Sequence, residues 1–228
     1  MAEKEVVIVD AVRTAFGRMG GTLKDIYASK LGSIGIDGLL SKTKIMEKAH
    51  VDSVFLGSAT GCSQSGNPAR HAMLGSALGY ETSASYVEMQ CGSAIDSINH
   101  AAWKILANQA DIIIAGGMES YSQMAIKFSM ATTPYKLIPP MPIPPQLSPV
   151  AEECIGMGIT AENLQEKYDI PREASDEFAY NSQMRAKAAM EAGYFEEEIV
   201  PVTIPATRKT PEYEFKVDEH PRPQSTLE

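Results

Sequence analysis

Cys91 stands where an apolar stretch ending at Gln90 meets a helical pattern that opens with Gly92-Ser93. A thiol in that place faces the positive end of a helix dipole, which favours the thiolate, the nucleophilic form. Gly92 and Ser93 leave room for a substrate and offer backbone N–H groups to an oxyanion. The alternative is a small buried core residue, since cysteine is among the residue types most often buried. Cys62, in Gly61-Cys62-Ser63-Gln64-Ser65-Gly66, and Cys154, in Glu152-Glu153-Cys154-Ile155, read first as structural. Three cysteines with no CxxC pair exclude a disulfide framework and a cysteine-rich zinc site, and fit a reducing cytoplasm.

A nucleophilic cysteine needs a base, and four histidines are on offer. His100 lies nine residues beyond Cys91 on one helix. That is about 900° of rotation and roughly 13 Å along the axis, so it faces away and cannot serve Cys91. His71 follows Asn67-Pro68-Ala69-Arg70 on another helix and reads as a packed or interface residue, while His50 and His220 read as exposed loop residues. No histidine is a convincing partner, which disfavours a papain-like hydrolase. The same scatter argues against a His/Cys metal site.

The elements that must position Cys91 fall in a soluble globular chain of 228 residues, 44% hydrophobic and 21% charged. No apolar run approaches the roughly 18 residues that would span a bilayer. Acids precede the first apolar run and no small-residue cleavage site comes after it, so a secretory signal is not expected. A net charge of −9 suits neither nucleic acid nor an anionic membrane. Thirteen of the fourteen prolines come after residue 118, and fourteen of the seventeen glycines precede it. This break predicts one domain over residues 1–118 and another over 119–228.

In the first piece, Val6–Val9, Val54–Leu56 and Ile112–Ala115 read as strands buried on both faces, and Ser85–Gln90 as a weaker one. Helices are predicted near 25–41, 68–78 and 92–108. In the last, Ala94, Ile95, Ile98, Ala101, Ala102, Ile105 and Leu106 form a single apolar stripe. Alternating strands and helices imply a mainly parallel sheet with helices on its faces. The second piece opens with a proline-rich stretch, Pro134–Pro149, whose Met141, Ile143 and Leu147 predict a packed covering loop. Two further helices are predicted near 160–168 and 171–192, the second with proline in its first turn and Gly193 at its end.

Six segments, in order, resemble the thiolases, the acetyl-CoA acetyltransferases and 3-ketoacyl-CoA thiolases. They are Val7–Thr14 with Phe16-Gly17-Arg18, Gly66–Arg70, Cys91-Gly92-Ser93-Ala94, Ala115–Ser120, Met157–Asn163 and Asp218–Pro223. The resemblance runs the length of the chain. It implies a layered α/β/α N-terminal domain with a mainly parallel mixed sheet, plus part of an inserted loop domain. The activity it implies is forming or cleaving 3-ketoacyl-coenzyme A through an acyl-cysteine intermediate. Cys91 would be the nucleophile and its own backbone N–H one oxyanion donor. Met157 would sit beside the acyl and pantetheine pocket, and Arg222 would contact the coenzyme A nucleotide, where a guanidinium suits phosphate. Asn67 to His71 would lie at a dimer interface. No cofactor or metal is implied, coenzyme A thioesters being the substrates.

Two departures bear on that carry-over. Gly156 replaces a histidine common before Met-Gly in short-chain biosynthetic members, which opens the acyl-length preference, and Gln224 replaces a common glycine. A larger departure is that the family's Asn-containing, Gly-His-Pro and Cys-x-Gly-Gly-Gly segments do not occur in these residues. The expectation is therefore a nucleophile-bearing half, ending inside the loop domain without the second domain. Its base, its second cysteine and the rest of its oxyanion hole would come from a complementary chain, or have been lost by frameshift, gene splitting or truncation. A homo-oligomer or such a complement is the expected partner. Two readings compete: a ketoacyl synthase of the same broad fold, and a non-catalytic acyl-CoA-binding or assembly subunit that keeps only the scaffold.

Overall fold

The computed structural model describes residues 5–129, 139 and 141–227. The chain forms two units, one of residues up to 125 with 194–220, the other of 126–193 with 221 onwards. The packing boundary thus lies a few residues beyond the composition break, and residues 194–220 return to the first unit. Composition does not register that return, because a chain can change its proline and glycine content without leaving a core.

The first unit contains, in chain order, β1 (Arg13–Thr14), α1 (Ala28–Thr43), β2 (Ser53–Gly57), α2 (Pro68–Leu74), β3 (Ser83–Val87), α3 (Ser93–Leu106) and β4 (Ile113–Gly117). The second contains α4 (Met157–Tyr168) and α5 (Arg172–Glu191), and β5 (Ile199–Val200), β6 (Val202–Ile204) and β7 (Tyr213–Phe215) belong to the returning segment. The main sheet is parallel in the order β3-β2-β4, with Val54 beside Ala84 and Ile114. This α/β arrangement is the fold class expected from the alternating pattern.

Alternation along β2 divides the sheet's two faces. Val54 and Leu56 join Ile36, Leu40, Ala69, Ala72, Met73 and Ile114 in a buried cluster roofed by α1 and α2. Full burial of Val54 and Met73, each 0% exposed, stabilises the fold by about 1.5–3 kcal/mol per side chain. The start of α2 is sharp because Asn67 Oδ1 accepts the Arg70 N–H at 2.9 Å and Pro68 opens the first turn.

Ser53, Phe55 and Gly57 alternate toward α3. The helix buries Ser93, Ser97 and Ala101, small residues spaced i, i+4, i+8. A Cβ at Gly57 would collide with the Ser93 carbonyl carbon, and one at Gly117 would meet Ala94 Cβ at 2.7 Å. Helix and strand backbones therefore touch. Ser97 fastens the contact by donating to the Gly116 carbonyl at 2.7 Å. Of the predicted stripe only the alanines reach the contact, Ala94 and Ala101, while the large residues do not: Ile95 is 69% exposed, Ile98 43% and Leu106 49%. Close backbone approach needs small residues underneath, and it turns the large ones outward.

The expected strand over Val6–Val9 is also corrected. Val7, Ile8 and Val9 are 65%, 82% and 80% exposed and pair with no strand among the described residues. A run buried on both faces needs neighbours on both sides, and the parallel pair here is β1 with β5, where Arg13 registers with Ile199. Around that pair a second core gathers Ala15, Leu23, Val202 and Phe215. Arg13 ties it together, donating to both Asp218 oxygens at 2.8 and 3.0 Å and to Glu198 at 2.6 Å. Burial pushes the Asp218 carboxyl up, but the Arg13 guanidinium and the Phe16 N–H outweigh it and leave the group below its ordinary value.

In the second unit, α4 and α5 bury no residue fully. Of the proline-rich stretch, residues 134–138 and 140 lie outside the described residues. The described part pairs Ile143 N–H with the Lys127 carbonyl at 2.8 Å and Ser129 N–H with the Met141 carbonyl at 3.0 Å. Met141, Ile143 and Leu147 are exposed there rather than packed. Backbone pairing satisfies this ribbon without covering its side chains.

Candidate active site

The three strands of the main sheet end level, Gly57 registering with both Val87 and Gly117. In open α/β sheets, ligands bind outside the carboxyl ends of the strands. At that end the chain runs from β3 through Glu88–Gln90 to Cys91 and into α3, whose N-cap is Gly92. Cys91 is exposed. The buried core alternative for this thiol therefore does not hold.

The turn that carries Cys91 is closed by hydrogen bonds. Gly92 N–H donates to the Met89 carbonyl at 3.0 Å and Ser93 N–H to the Gln90 carbonyl at 3.1 Å. The expectation that Gly92 and Ser93 present their amides to an oxyanion is thereby overturned, since both serve the turn. The resemblance implies a different donor, the N–H of Cys91. Gln90 itself has φ 49°, in the left-handed region.

Beside this turn stands a second loop, Ser58–Gly61, held by Glu119 from the end of β4. The Glu119 carboxylate accepts the Ser58 hydroxyl at 3.0 Å, the Ala59 N–H at 2.8 Å, the Thr60 N–H at 3.3 Å and the Thr60 hydroxyl. Tyr86 donates its hydroxyl to the Ser58 carbonyl at 2.7 Å. Burial, then the Glu88 and Glu119 carboxylates, hold the Tyr86 phenol above its ordinary value. Sequence reasoning missed both Glu119 and Tyr86. The usable signal was a lone acid two residues beyond Gly117, where β4 ends.

The histidines stay apart from Cys91. His100 Nδ1 lies 2.9 Å from the Asp96 carbonyl one turn back, and its ring packs against Trp103 and Phe55. His71 Nδ1 lies 2.9 Å from Ser29 Oγ, to which the half-buried Cys62 also donates at 3.7 Å. His50 and His220 are exposed. Cys154, half-buried, donates to the Ser148 carbonyl at 3.1 Å.

Met157 and Arg222 belong to the second unit and Cys91 to the first. Met157 opens α4 and is 65% exposed. Arg222 is exposed, and its backbone N–H donates to Gln183 Oε1 at 2.7 Å.

A parallel sheet carries a cysteine at the start of the helix that leaves its carboxyl edge, and comparison with known proteins identifies the family that this scaffold belongs to. The thiolase N-terminal domain model matches residues 6–228. The β-ketoadipyl-CoA thiolase of Acinetobacter baylyi is 39% identical over 99% of this chain and 58% of its own length. The acetyl-CoA acetyltransferase of Escherichia coli K12 is likewise 39% identical, over 99% of this chain and 57% of its own. The crystal structure of the Bacillus anthracis acetyl-CoA acetyltransferase superposes with a TM-score of 0.82 at 32% identity, covering 97% of this chain and 56% of that one. The chain belongs to the thiolase family. It spans little more than half the length of the curated relatives it matches.

Proposed function

We propose that these residues supply the nucleophile-bearing part of a thiolase-type acyltransferase site that works on acyl-coenzyme A. The observation that carries this reading is the exposed Cys91 thiol, set by a left-handed residue at the carboxyl edge of a parallel sheet. Its sulfur attacks the thioester carbonyl carbon and the carbonyl oxygen takes the negative charge, beside the Cys91 N–H. As the tetrahedral intermediate collapses, the bond to the coenzyme A sulfur breaks. Coenzyme A leaves with the proton that the thiol gave up, and the acyl group stays on Cys91 as a thioester. In this reading Met157 borders the acyl and pantetheine chain, and Arg222 contacts the nucleotide phosphates. The guanidinium of Arg222 forms no ion pair among the described residues, which leaves it available.

The remaining groups come from sequence outside these residues. General base catalysis contributes about 10²–10⁴-fold and a second oxyanion donor about 10²–10³-fold. Without them Cys91 is acylated slowly and no carbon–carbon bond is made or cut. The outward row on α3 (Ile95, Ile98, Trp103 and Leu106) supports a complement, because so large an apolar face marks an interaction surface. A cytoplasmic location goes with this reading, the three thiols being unpaired.

The test mixes the chain with a polypeptide carrying the C-terminal thiolase half and measures acetoacetyl-CoA cleavage. Cleavage by the mixture, abolished by Cys91→Ala, is the expected result. No cleavage, together with a Cys91 inert to iodoacetamide, would sink the enzyme and leave an acyl-CoA-binding or assembly subunit. Light scattering of the chain alone checks the apolar face: self-association is expected, and a monomer at every concentration contradicts it.

A further inference from the structure

Ser93 is 3% exposed, and its side chain bonds back to residues that precede the helix it begins. The hydroxyl accepts the Met89 N–H at 2.9 Å and donates to the Gln90 carbonyl at 2.6 Å. A serine that caps a helix accepts from amides two or three residues ahead. This one reaches backward instead, and grips both residues that precede Cys91. Between those two bonds lies Gln90 at φ 49°, a backbone state that a residue with a Cβ adopts only when its surroundings impose it. The Glu88 carboxylate adds a third restraint by accepting the Gln90 N–H at 2.8 Å. Below, the contact of Gly57 with the Ser93 carbonyl anchors the serine to β2.

We infer that Ser93 is a positioning residue for acyl transfer to Cys91. By holding Gln90 left-handed it fixes the direction in which Cys91 leaves the turn, and with it the angle between the thiol and the Cys91 N–H. Acyl transfer needs both at once, the sulfur on the carbonyl carbon and the amide on the oxygen. The inference rests on the reading of Cys91 as acyl acceptor.

Two reactions of the same thiol separate positioning from general support. Acetylation of Cys91 by acetyl-CoA uses the oxyanion donor, whereas alkylation by iodoacetamide does not. In Ser93→Ala, acetylation should fall about 100-fold, the effect of misplacing a reacting group by about 1 Å, while alkylation keeps its rate. Ser93→Thr, which keeps the hydroxyl, should recover much of the loss. So should Gln90→Gly in the Ser93→Ala background, because glycine takes positive φ freely. Ser97→Ala is the matched control: an equally buried serine bonded to the Gly116 carbonyl, whose loss should leave the ratio of the two rates unchanged.

Acetylation of Ser93→Ala at the wild-type rate overturns the inference, and so does an equal fall of both reactions in Ser93→Ala and Ser97→Ala. If Ser93→Ala does not fold, Gln90→Val keeps the serine, disfavours the left-handed backbone and should show the same selective loss. If the unaltered chain takes no acetyl group at all, the acyl-acceptor reading fails. Amide exchange then decides the rest: Met89 N–H protection lost in Ser93→Ala but kept in Ser97→Ala still identifies Ser93 as what holds the turn, and protection unchanged in both rejects it.

Discussion

The two faces of the central sheet are built by opposite rules. Toward α1 and α2 the sheet presents Val54, Leu56 and Ile114, and the helices answer with Ile36, Leu40 and Met73, all buried. Toward α3 it presents glycines near its carboxyl end, and the helix answers with two serines and an alanine. One face is held by apolar volume. The other is held by backbone contact and serine hydroxyls, and it leaves its bulky residues facing outward. The first face makes the fold stable; the second makes it specific about where one helix begins.

If that contrast is right, substitutions of similar size should differ widely between the faces. Met73→Ala removes a side chain that is 0% exposed and should destabilise the first unit by about 2–5 kcal/mol in urea unfolding. An effect as small as a surface substitution would show that the α1/α2 face is not the principal core. A middle-sized effect is expected where the returning segment closes the outer side of α1. The native Asp218 carboxyl is held below its ordinary value, so its stabilisation is fully present above about pH 4 and is lost as pH falls through the lowered native value. Asp218→Asn should therefore be less stable than the unaltered chain at neutral pH, and the two should converge on acidification. Parallel pH profiles would mean the Arg13 pair contributes nothing. Ile98→Ala, half-exposed on α3, should change stability by no more than about 0.5 kcal/mol at concentrations too low for the chain to self-associate. A large loss under those dilute conditions would mean that Ile98 packs within its own chain.

Helix positions were largely legible in the sequence because capping and period are local: Asn67-Pro68 marks the start of α2, and Gly92-Ser93 the start of α3. β2 and β4 were legible for the same reason, each a short apolar run ended by glycine, whereas the weaker strand expected at Ser85–Gln90 lies at Ser83–Val87, a serine-rich segment that carries little apolar signal. What escaped depends on distant neighbours. The run Val6–Val9 has the composition of a buried strand, but burial needs partners that composition cannot supply. The stripe on α3 has the period of a core-facing helix, yet period does not say which side a helix lays on a glycine-lined sheet. Within the site, Cys91 was legible from the helix start immediately after it. The fate of the Gly92 and Ser93 amides was not, because it turns on a serine side chain folding backward across a turn.

Gly57 and Gly117 have a mechanical consequence. With no side chains between helix and strand, nothing compressible separates the start of α3 from the sheet beneath it. The sulfur at the head of that helix is thus mounted on three hydrogen-bonded strands, like a tool bolted to a bench, and under the proposed acyl transfer an arriving thioester would adjust its own pose to meet it.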